Sequence, residues 1–289
     1  MTAPASIQRV IIVVLDGLRA DAVHLFPLPN MARLAERGAH TFSARTVTPS
    51  VTAAAMTSLF TGVAPAVHGL TSDRFGIPRA GATLTPLTRV LQRAALPSSA
   101  YMATLPRPYR ALAARIARAL GIDRVTFHGH TAADVLAASR DTLTTQRRGL
   151  IFLHWPDADR VGHAHGWTSD AYAVAASRLD DTLGALVCET RVIQDPRTLL
   201  IVCSDHGGGG MHARSHDSLH PQDQRIPLIL LGGAVRAGRL TVPCSLLDVP
   251  ATTCWALGVT TPSSYGGRAL LQAFHGHDER TPRPMAAVA

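Results

Sequence analysis

The chain has 289 residues, of which 46% are hydrophobic and 17% are charged. This composition is typical of a soluble globular protein and excludes a chain that is too polar to form a sizeable core. The length is sufficient for one large domain or two small ones. The formal net charge is +8, and all 28 basic residues other than histidine are arginines. They are scattered, so we attribute the charge to an arginine-biased composition; attraction of an anionic substrate is the alternative.

Apolar runs and helical periodicities alternate along the chain. Continuous apolar runs indicate buried parallel strands, and apolar positions repeating every three to four residues indicate helices. This alternation predicts an α/β fold with a largely parallel sheet between helices. The predicted elements are, in chain order, strand 9–15, helices 31–36, 52–61 and 84–94, strand 98–103, helix 110–120, strand 124–127, helix 132–144, strand 149–153, helix 169–187, strands 199–203 and 227–231, and helix 245–257.

Residues 1–274 are predicted to form one domain. The segment at about 71–148 contains no obvious chemistry and is predicted to be a variable or cap segment. Residues 275–289 are rich in Pro, Arg and His and are predicted to form a flexible tail.

The sequence predicts a cytoplasmic protein without a membrane contact. No stretch reaches the roughly 18 apolar residues of a membrane span. The apolar run 10–15 ends on Asp16 and is too short for a signal segment. The four cysteines show no CxxC spacing, so we expect buried thiols rather than disulfides or a zinc–thiolate site. The sequence does not indicate an oligomeric state.

Asp16 and Thr52 are candidate site residues, each with a structural alternative. Asp16 directly follows a predicted strand, where an aspartate can reach a metal or cap a helix. Thr52 precedes a run of alanines, where a threonine can serve as an N-cap or as a nucleophile. Metal coordination lowers the pKa of a hydroxyl, and a helix N-terminus favours a bound phosphate.

A cluster of Asp and His follows the predicted strand 149–153. Asp159 and His163 are four residues apart, which is one turn if the segment is helical, and three further residues of the same kinds crowd the segment. They are His154, Asp157 and His165. Such a cluster contains more groups than one ion needs, so some are expected to support the ligands instead of binding metal.

A second cluster follows the predicted strand 199–203. Asp205 and His206 are followed by the glycines 207–210, which permit the turn that two adjacent ligands of one ion require. One histidine of the following segment is expected to complete a site; the candidates are His212, His216 and His220. Carboxylates and imidazoles are ligands of zinc and similar ions. Together with Asp16 and Thr52, the clusters suggest a two-metal hydrolase with a threonine nucleophile.

These residues lie in motifs that resemble the alkaline phosphatase superfamily, and most closely its type I phosphodiesterase/nucleotide pyrophosphatase branch. The motifs occur in the family's order and span nearly the whole chain except 71–148. They are VVLDGLRAD, PSVTAAAMTSLFTGVAPAVHG, DRVGHAHG, IVCSDHG, HDSLHPQDQRIPLILLGG and LLDVPATTCWALGV. The resemblance implies an alkaline-phosphatase-like three-layer sandwich and two divalent ions. Zinc is the family expectation, with manganese or iron as alternatives.

The resemblance also implies a role for each residue. Thr52 matches the nucleophile, which forms a covalent phospho-threonine and is itself a ligand of one ion. That ion is further held by Asp16, Asp205 and His206. The other ion is held by Asp159, His163 and His216, which leaves Asp157, His212 and His220 outside.

The chain departs from the family at Ala55. Nucleotide pyrophosphatases carry an asparagine there, which helps to hold a phosphate oxygen. Arg19 or a main-chain N–H is therefore the candidate for orienting the substrate. A sulfatase would have a Cys or Ser nucleophile in a C/S-x-P-x-R motif, and the residues 52–56, TAAAM, do not provide it.

The predicted function is hydrolysis of a small-molecule phosphoester, with a diester favoured. The alternatives are a phosphomonoesterase, a phosphomutase or phosphotransferase on the same core, and an inactive metal-binding protein. A nucleic-acid binder is a further alternative that would show steep salt dependence and need no metal.

Overall fold

A β-sheet of eight strands forms the centre of the described part of the chain, which comprises residues 7–72, 84–105 and 107–276 of a computed structural model. The order across the sheet is β4-β3-β5-β1-β6-β7-β2-β8. The strands are β1 (Arg9–Leu15), β2 (Ala39–Arg45), β3 (Ser98–Met102), β4 (Arg124–Phe127), β5 (Gly149–Trp155), β6 (Thr198–Cys203), β7 (Arg225–Leu231) and β8 (Gly238–Arg239).

The sheet is largely parallel, as predicted. The block β4-β3-β5-β1-β6 is parallel throughout, whereas β7 runs antiparallel to both β6 and β2. Every residue of the central strands β1, β5 and β6 is buried. This burial explains why these strands read as continuous apolar runs: both of their faces are covered.

Helices cover the two faces of the sheet and produce the three layers. They are α1 (Ala22–Leu25), α2 (Pro29–Arg37), α3 (Thr52–Thr61), α4 (Pro65–His68), α5 (Leu87–Arg93), α6 (Arg107–Leu120), α7 (Ala132–Thr145), α8 (Asp157–His165), α9 (Asp170–Thr190), α10 (Pro221–Gln224) and α11 (Asp248–Ala256). A 3₁₀ helix follows at Leu271–Ala273. None of the described helices combines the length and the apolar character that crossing a membrane requires.

Successive residues of β1 enter different cores because side chains alternate between the faces of a strand. Val10, Ile12 and Val14 join the core that includes residues of α3, α5 and α11. Ile11 and Val13 join the core that includes residues of α2, α7 and α9. The two cores correspond to the two outer layers of the sandwich.

The structure adds elements that the sequence did not predict. β2 has the sequence AHTFSAR, which contains no apolar run, and its pairing with β7 shifts register between Thr41 and Ala44. The segment that carries Asp159 and His163 is helical, as α8. The described part of the segment 71–148 supplies β3, β4 and helices α5 to α7, and the sequence did predict an element at each of these places. Residues 73–83, 106 and 277–289, the last of which make up most of the predicted tail, lie outside the described residues.

Candidate metal centre and nucleophile

Three polar side chains reach one edge of the sheet because their strands end side by side. Asp16 directly follows β1, His154 is the penultimate residue of β5, and Asp205 follows β6 by two residues. The parallel register aligns Val14 with both His154 and Cys203. Ligands of open α/β sheets bind beyond the carboxyl ends of the strands, which is where these side chains meet.

The turn after β1 holds Asp16 against the first turn of α8. Gly17 has a φ of +69°, and a Cβ atom on it would lie 2.7 Å from Cα of Asp159. The Asp159 N–H donates a hydrogen bond to the Asp16 carbonyl at 2.9 Å. Trp167 Nε1 and the Tyr172 hydroxyl both donate to the Gly17 carbonyl, at 2.8 and 2.9 Å. Glycine therefore permits the close approach of two segments that each carry a candidate ligand.

Gly17→Ala should destabilise the fold more than Gly258→Ala does. Both glycines have a φ of +69°, so the backbone strain of an alanine is matched, but a Cβ on Gly258 meets nothing within 4 Å. The overlap with Asp159 should cost roughly 1–3 kcal/mol beyond that shared strain. Urea unfolding of the two variants measures the difference in the free energy of unfolding, and equal values would contradict the close approach.

A first group of ligand atoms contains Asp16, His154 and Asp205, whose ligand atoms all lie within 4.8 Å of one another. His154 Nε2 is 3.3 Å from Asp16 Oδ2. His206 Nε2 lies beside the same group, 3.4 Å from Asp16 Oδ1 and 3.5 Å from Asp205 Oδ2. The four side chains thus converge from three strand ends.

A second group contains Asp159, His206 and His216, again within 4.8 Å. The Nε2 atoms of His163, His216 and His206 lie 3.3, 3.6 and 4.0 Å from Asp159 Oδ1. The rings of His206 and His216 are stacked, with centroids 3.7 Å apart and planes 8° from parallel. His206 consequently lies between the two groups.

The three histidines that surround Asp159 have their rings fixed by main-chain carbonyls. Nδ1 of His163 is 3.0 Å from the Arg214 carbonyl, and Nδ1 of His216 is 2.6 Å from the Ser50 carbonyl. Nδ1 of His206 is 2.8 Å from the carbonyl of the residue that follows it. A carbonyl only accepts, so Nδ1 carries the proton and Nε2 presents its lone pair to the centre. Metal-bound histidines are oriented in this way.

The buried carboxylates fit a divalent cation. Asp205 is completely buried, and its Oδ2 accepts no hydrogen bond from the part of the chain that the structure describes. Asp16 is 5% exposed. Buried charges of one sign are costly unless cations or hydrogen bonds compensate them. Carboxylate oxygens together with imidazole nitrogens are ligands that zinc, manganese and iron accept.

Protonation equilibria at the site also reflect the surrounding charges. Burial disfavours the ionised form of Asp159, but in the absence of a cation the neighbouring histidines can take up a proton on Nε2, and the hydrogen bond from protonated His163 together with the charge of protonated His206 outweighs burial and lowers the pKa of the carboxyl. Burial lowers the pKa of His154 and outweighs the attraction of Asp205. Both shifts favour the forms that bind metal, a carboxylate and a neutral imidazole.

Thr52 lies beside these groups and is not a helix cap. It is the first residue of α3, whose N-cap is Val51. Its Oγ1 is 3.0 Å from His206 Nε2, and its side chain is half-buried. Asp16 is not a cap either, since α1 begins several residues later with Asp21 at its N-cap. The structural alternatives that the sequence left open for Thr52 and Asp16 are therefore wrong.

Arg19 is engaged elsewhere. Its Nε and Nη2 donate to the two carboxylate oxygens of Asp21 at 2.8 and 2.6 Å, and its Nη1 lies 3.5 Å from the Gly208 carbonyl. These contacts occupy the guanidinium of a residue that is 2% exposed. The structure thus places Arg19 in an ion pair behind the glycine run, and its predicted contact with substrate stays a prediction.

The other candidate residues lie outside the two groups. Asp157 Oδ2 accepts from the Ala132 N–H at 2.7 Å, at the start of α7. His220 is the N-cap of α10, and its Nδ1 accepts from the Gln222 N–H. His165 and His212 are exposed.

Sequence reasoning included His154 in the cluster but placed it after the strand, and it missed Trp167. The strand was predicted to end at residue 153, whereas β5 continues to Trp155. Placing the end of this strand beside β1 would have brought His154 to the site. The ring centroid of Trp167 lies 5.1 Å from that of His163 and 5.7 Å from that of His216, and its Nε1 donates to the Gly17 carbonyl. Nothing in its local sequence indicates this role.

Comparisons with known proteins identify the family of the chain. The family model for type I phosphodiesterase/nucleotide pyrophosphatase matches residues 10–242. The catalytic subunit of human GPI ethanolamine phosphate transferase 2 is 29% identical over 139 residues, which are 45% of this chain and 14% of that protein. An uncharacterised pyrophosphatase/phosphodiesterase of Schizosaccharomyces pombe is 26% identical over 221 residues, or 69% of this chain and 44% of that protein. The matches therefore cover less than half the length of these curated relatives.

Solved structures share the fold. Murine ectonucleotide pyrophosphatase/phosphodiesterase 5, in an inactive form complexed with AMP, superposes with a TM-score of 0.69 at 17% identity. The superposition covers 88% of this chain and 96% of the murine chain. The predicted alkaline-phosphatase-like sandwich is thereby confirmed. The chain belongs to the type I phosphodiesterase/nucleotide pyrophosphatase family.

Proposed function

We propose that this chain is a two-metal phosphodiesterase whose nucleophile is Thr52. The observation that carries the proposal is the position of the Thr52 hydroxyl, 3.0 Å from His206 Nε2 at the first residue of α3. His206 in turn lies between two groups of buried ligand atoms. A hydroxyl in such a place can be ionised and aimed at a bound phosphorus atom.

The two groups divide the ligands between two ions. One ion would be held by Thr52, Asp16, Asp205 and His206, and the other by the remaining ligands, Asp159, His163 and His216. His206 belongs to the first set because its Nε2 is closer to Asp16 and Asp205, at 3.4 and 3.5 Å, than to Asp159, at 4.0 Å. His154 contacts Asp16 and supports it from the end of β5.

The ions would supply charge. Two divalent cations, of which zinc is the favoured identity and manganese or iron the alternatives, lower the pKa of a bound hydroxyl and neutralise phosphoryl oxygens. This chain offers carboxylates and neutral imidazoles for that purpose.

The reaction proceeds in two displacements at phosphorus. Thr52 Oγ1 forms a bond to phosphorus while the bond to the departing alcohol breaks, which leaves a phospho-threonine. Water then attacks the same phosphorus, and Thr52 leaves with its oxygen. The positive end of the α3 dipole lies at Thr52 and stabilises the negative charge of the phosphoryl group in both steps.

The surroundings of Thr52 favour a diester. A diester carries a second organic group, and a cavity of about 520 Å³ opens beside Thr52 and Asp159. The side chain of Ala55 offers no hydrogen bond to a phosphoryl oxygen, and Arg19 is paired with Asp21. The substrate is therefore expected to be held by its phosphoryl group on the ions and by its organic group in this cavity.

Two relatives indicate alternatives for the acceptor and the substrate. The match to an ethanolamine phosphate transferase favours a phosphotransferase as the second candidate, in which an alcohol replaces water in the second displacement. The murine structural neighbour holds AMP, so a nucleotide is a candidate substrate. A phosphomonoesterase uses the same two displacements on a smaller substrate.

Elemental analysis combined with an ester panel tests the proposal. We expect two equivalents of divalent metal, turnover of bis(p-nitrophenyl) phosphate above that of p-nitrophenyl phosphate, and loss of turnover in chelator that zinc or manganese reverses. Added alcohol that appears in the product would identify the phosphotransferase. Diesterase activity in protein stripped of metal would contradict the proposal.

We also propose that the protein resides in a reducing compartment such as the cytoplasm. Its four cysteines are free thiols, of which Cys188 is exposed and the other three are buried. A small-molecule phosphoester is the expected partner, without nucleic acid or membrane.

A further inference from the structure

A cavity of about 520 Å³ continues from the candidate site into the space between α3 and α6. Thr52, Asp159, His163 and His216 line its inner end. The volume lies within the range of about 300–1,000 Å³ that is usual for small-molecule sites. A ligand whose phosphoryl group lies at Thr52 therefore has continuous space for its organic part.

Both helices direct a stripe of side chains into this cavity. On α3 the stripe is Ala53, Met56, Thr57 and Phe60, and on α6 it is Ala113, Ile116, Ala117 and Leu120. Each set has the spacing i, i+3, i+4 and i+7 of one helix face. Such stripes usually pack against one another, since protein interiors leave few voids larger than a water molecule. Here they enclose a volume that leads to the nucleophile.

The floor of the cavity is equally apolar. Ala100 and Met102 of β3 and Val125 and Phe127 of β4 are alternate residues, so each pair faces the same side of the sheet. The strands carry these side chains because this edge of the sheet is covered by α6. Sheet and helices together form an apolar sleeve.

The hydroxyls beyond Thr52 are already used by the helix. Thr57 Oγ1 donates to the Ala53 carbonyl at 2.7 Å, and Thr61 Oγ1 donates to the Thr57 carbonyl at 2.6 Å. Along the sleeve these groups have no proton left to donate to a ligand. A nucleobase or a sugar needs such partners, whereas a hydrocarbon chain does not.

We propose that the sleeve binds a hydrocarbon chain, so that the substrate is an amphiphilic phosphodiester in which one esterifying group is an alkyl or acyl chain. This inference rests on the proposed function, because it assigns the sleeve to the organic group of the same ester. The chain lies between α3 and α6, and the phosphoryl group lies at Thr52.

Binding of alkylphosphonates tests the assignment without turnover. Methyl-, butyl- and octylphosphonate are titrated calorimetrically into metal-loaded protein, and each buried methylene should tighten binding by about fourfold until the sleeve is full. We expect octylphosphonate to bind at least about tenfold more tightly than methylphosphonate, with a more negative heat-capacity change. Equal affinities for the three ligands would overturn the proposal, and this test needs only the wild-type protein.

A matched pair of variants on α6 locates the chain. Ala113 lines the sleeve, whereas Ala111 is exposed on the same helix. Ala113→Phe should reduce the octyl-to-methyl affinity ratio to about threefold or less, because the ring fills space that the chain needs. Ala111→Phe should leave the ratio unchanged. The same ratio in both variants would place the chain elsewhere and overturn the proposal.

The outcomes separate this inference from the proposed function. Chain-length dependence without any Thr52-dependent diesterase activity would support the sleeve and refute the phosphodiesterase. Thr52-dependent turnover of bis(p-nitrophenyl) phosphate without chain-length dependence would support the phosphodiesterase and refute the hydrocarbon chain in the sleeve. AMP that binds more tightly than octylphosphonate and is excluded by Ala113→Phe would assign the sleeve to a nucleobase and overturn the proposal.

Discussion

Thr52→Ala is expected to lower turnover of bis(p-nitrophenyl) phosphate by at least about a thousandfold, because loss of a nucleophile removes most of the rate enhancement of an enzyme. Alanine is the best helix former, so α3 should persist. The ligands other than Thr52 remain, and the metal content should stay near that of the wild type. Steady-state kinetics and elemental analysis on the same preparation measure both quantities.

Two further variants make this prediction specific. Thr52→Ser keeps a hydroxyl and should retain much more activity than Thr52→Ala. Thr144→Ala changes an exposed threonine of α7 and should behave as the wild type. A stopped reaction of the wild type should also show a mass increase on the peptide with Thr52. Near wild-type turnover of Thr52→Ala would refute the assignment of the nucleophile.

His216→Ala is expected to remove about one equivalent of metal and to lower activity by roughly two orders of magnitude or more. His216 is 3% exposed, its Nε2 lies 3.6 Å from Asp159 Oδ1, and its Nδ1 is fixed by the Ser50 carbonyl. Loss of a group that merely supports a ligand typically costs 10- to 100-fold in metal affinity or activity, so loss of a ligand should cost at least as much. Excess zinc should restore part of the activity.

His220→Ala is the matched control. His220 belongs to the same segment, but its ring caps α10 and accepts from the Gln222 N–H. The variant should keep both equivalents of metal and most of the activity, with a cost in stability of about 1 kcal/mol from the lost cap. Equal metal loss in the two variants would contradict the selection of His216.

The parts of the fold that depend on burial could be predicted from the sequence. β1, β5 and β6 are covered on both faces, so each is a continuous apolar run that ends in a polar residue or cluster. Parallel strands deliver their carboxyl ends to one edge, which is why Asp16 and Asp205 could be placed together. β2 could not be predicted, because only three of its seven residues are buried, they form no apolar run, and its pairing shifts between Thr41 and Ala44.

The arrangement around the site depends on long-range contacts that local patterns do not specify. The close approach of Gly17 to Asp159 joins segments far apart in the sequence, and so does the support from Trp167. The apolar stripes of α3 and α6 have the same pattern whether they pack together or leave a cavity. Only the cavity that the two helices enclose shows that they form a sleeve.

The positions of the bound ions test the central claim most directly. Crystals of the zinc-loaded protein should show two anomalous peaks at the zinc absorption edge, about 3.5–4 Å apart. One peak should lie within coordinating distance of Asp16, Asp205 and Thr52 Oγ1, and the other beside Asp159 and His216. A single peak, or peaks remote from Thr52, would contradict a dinuclear centre built around this threonine.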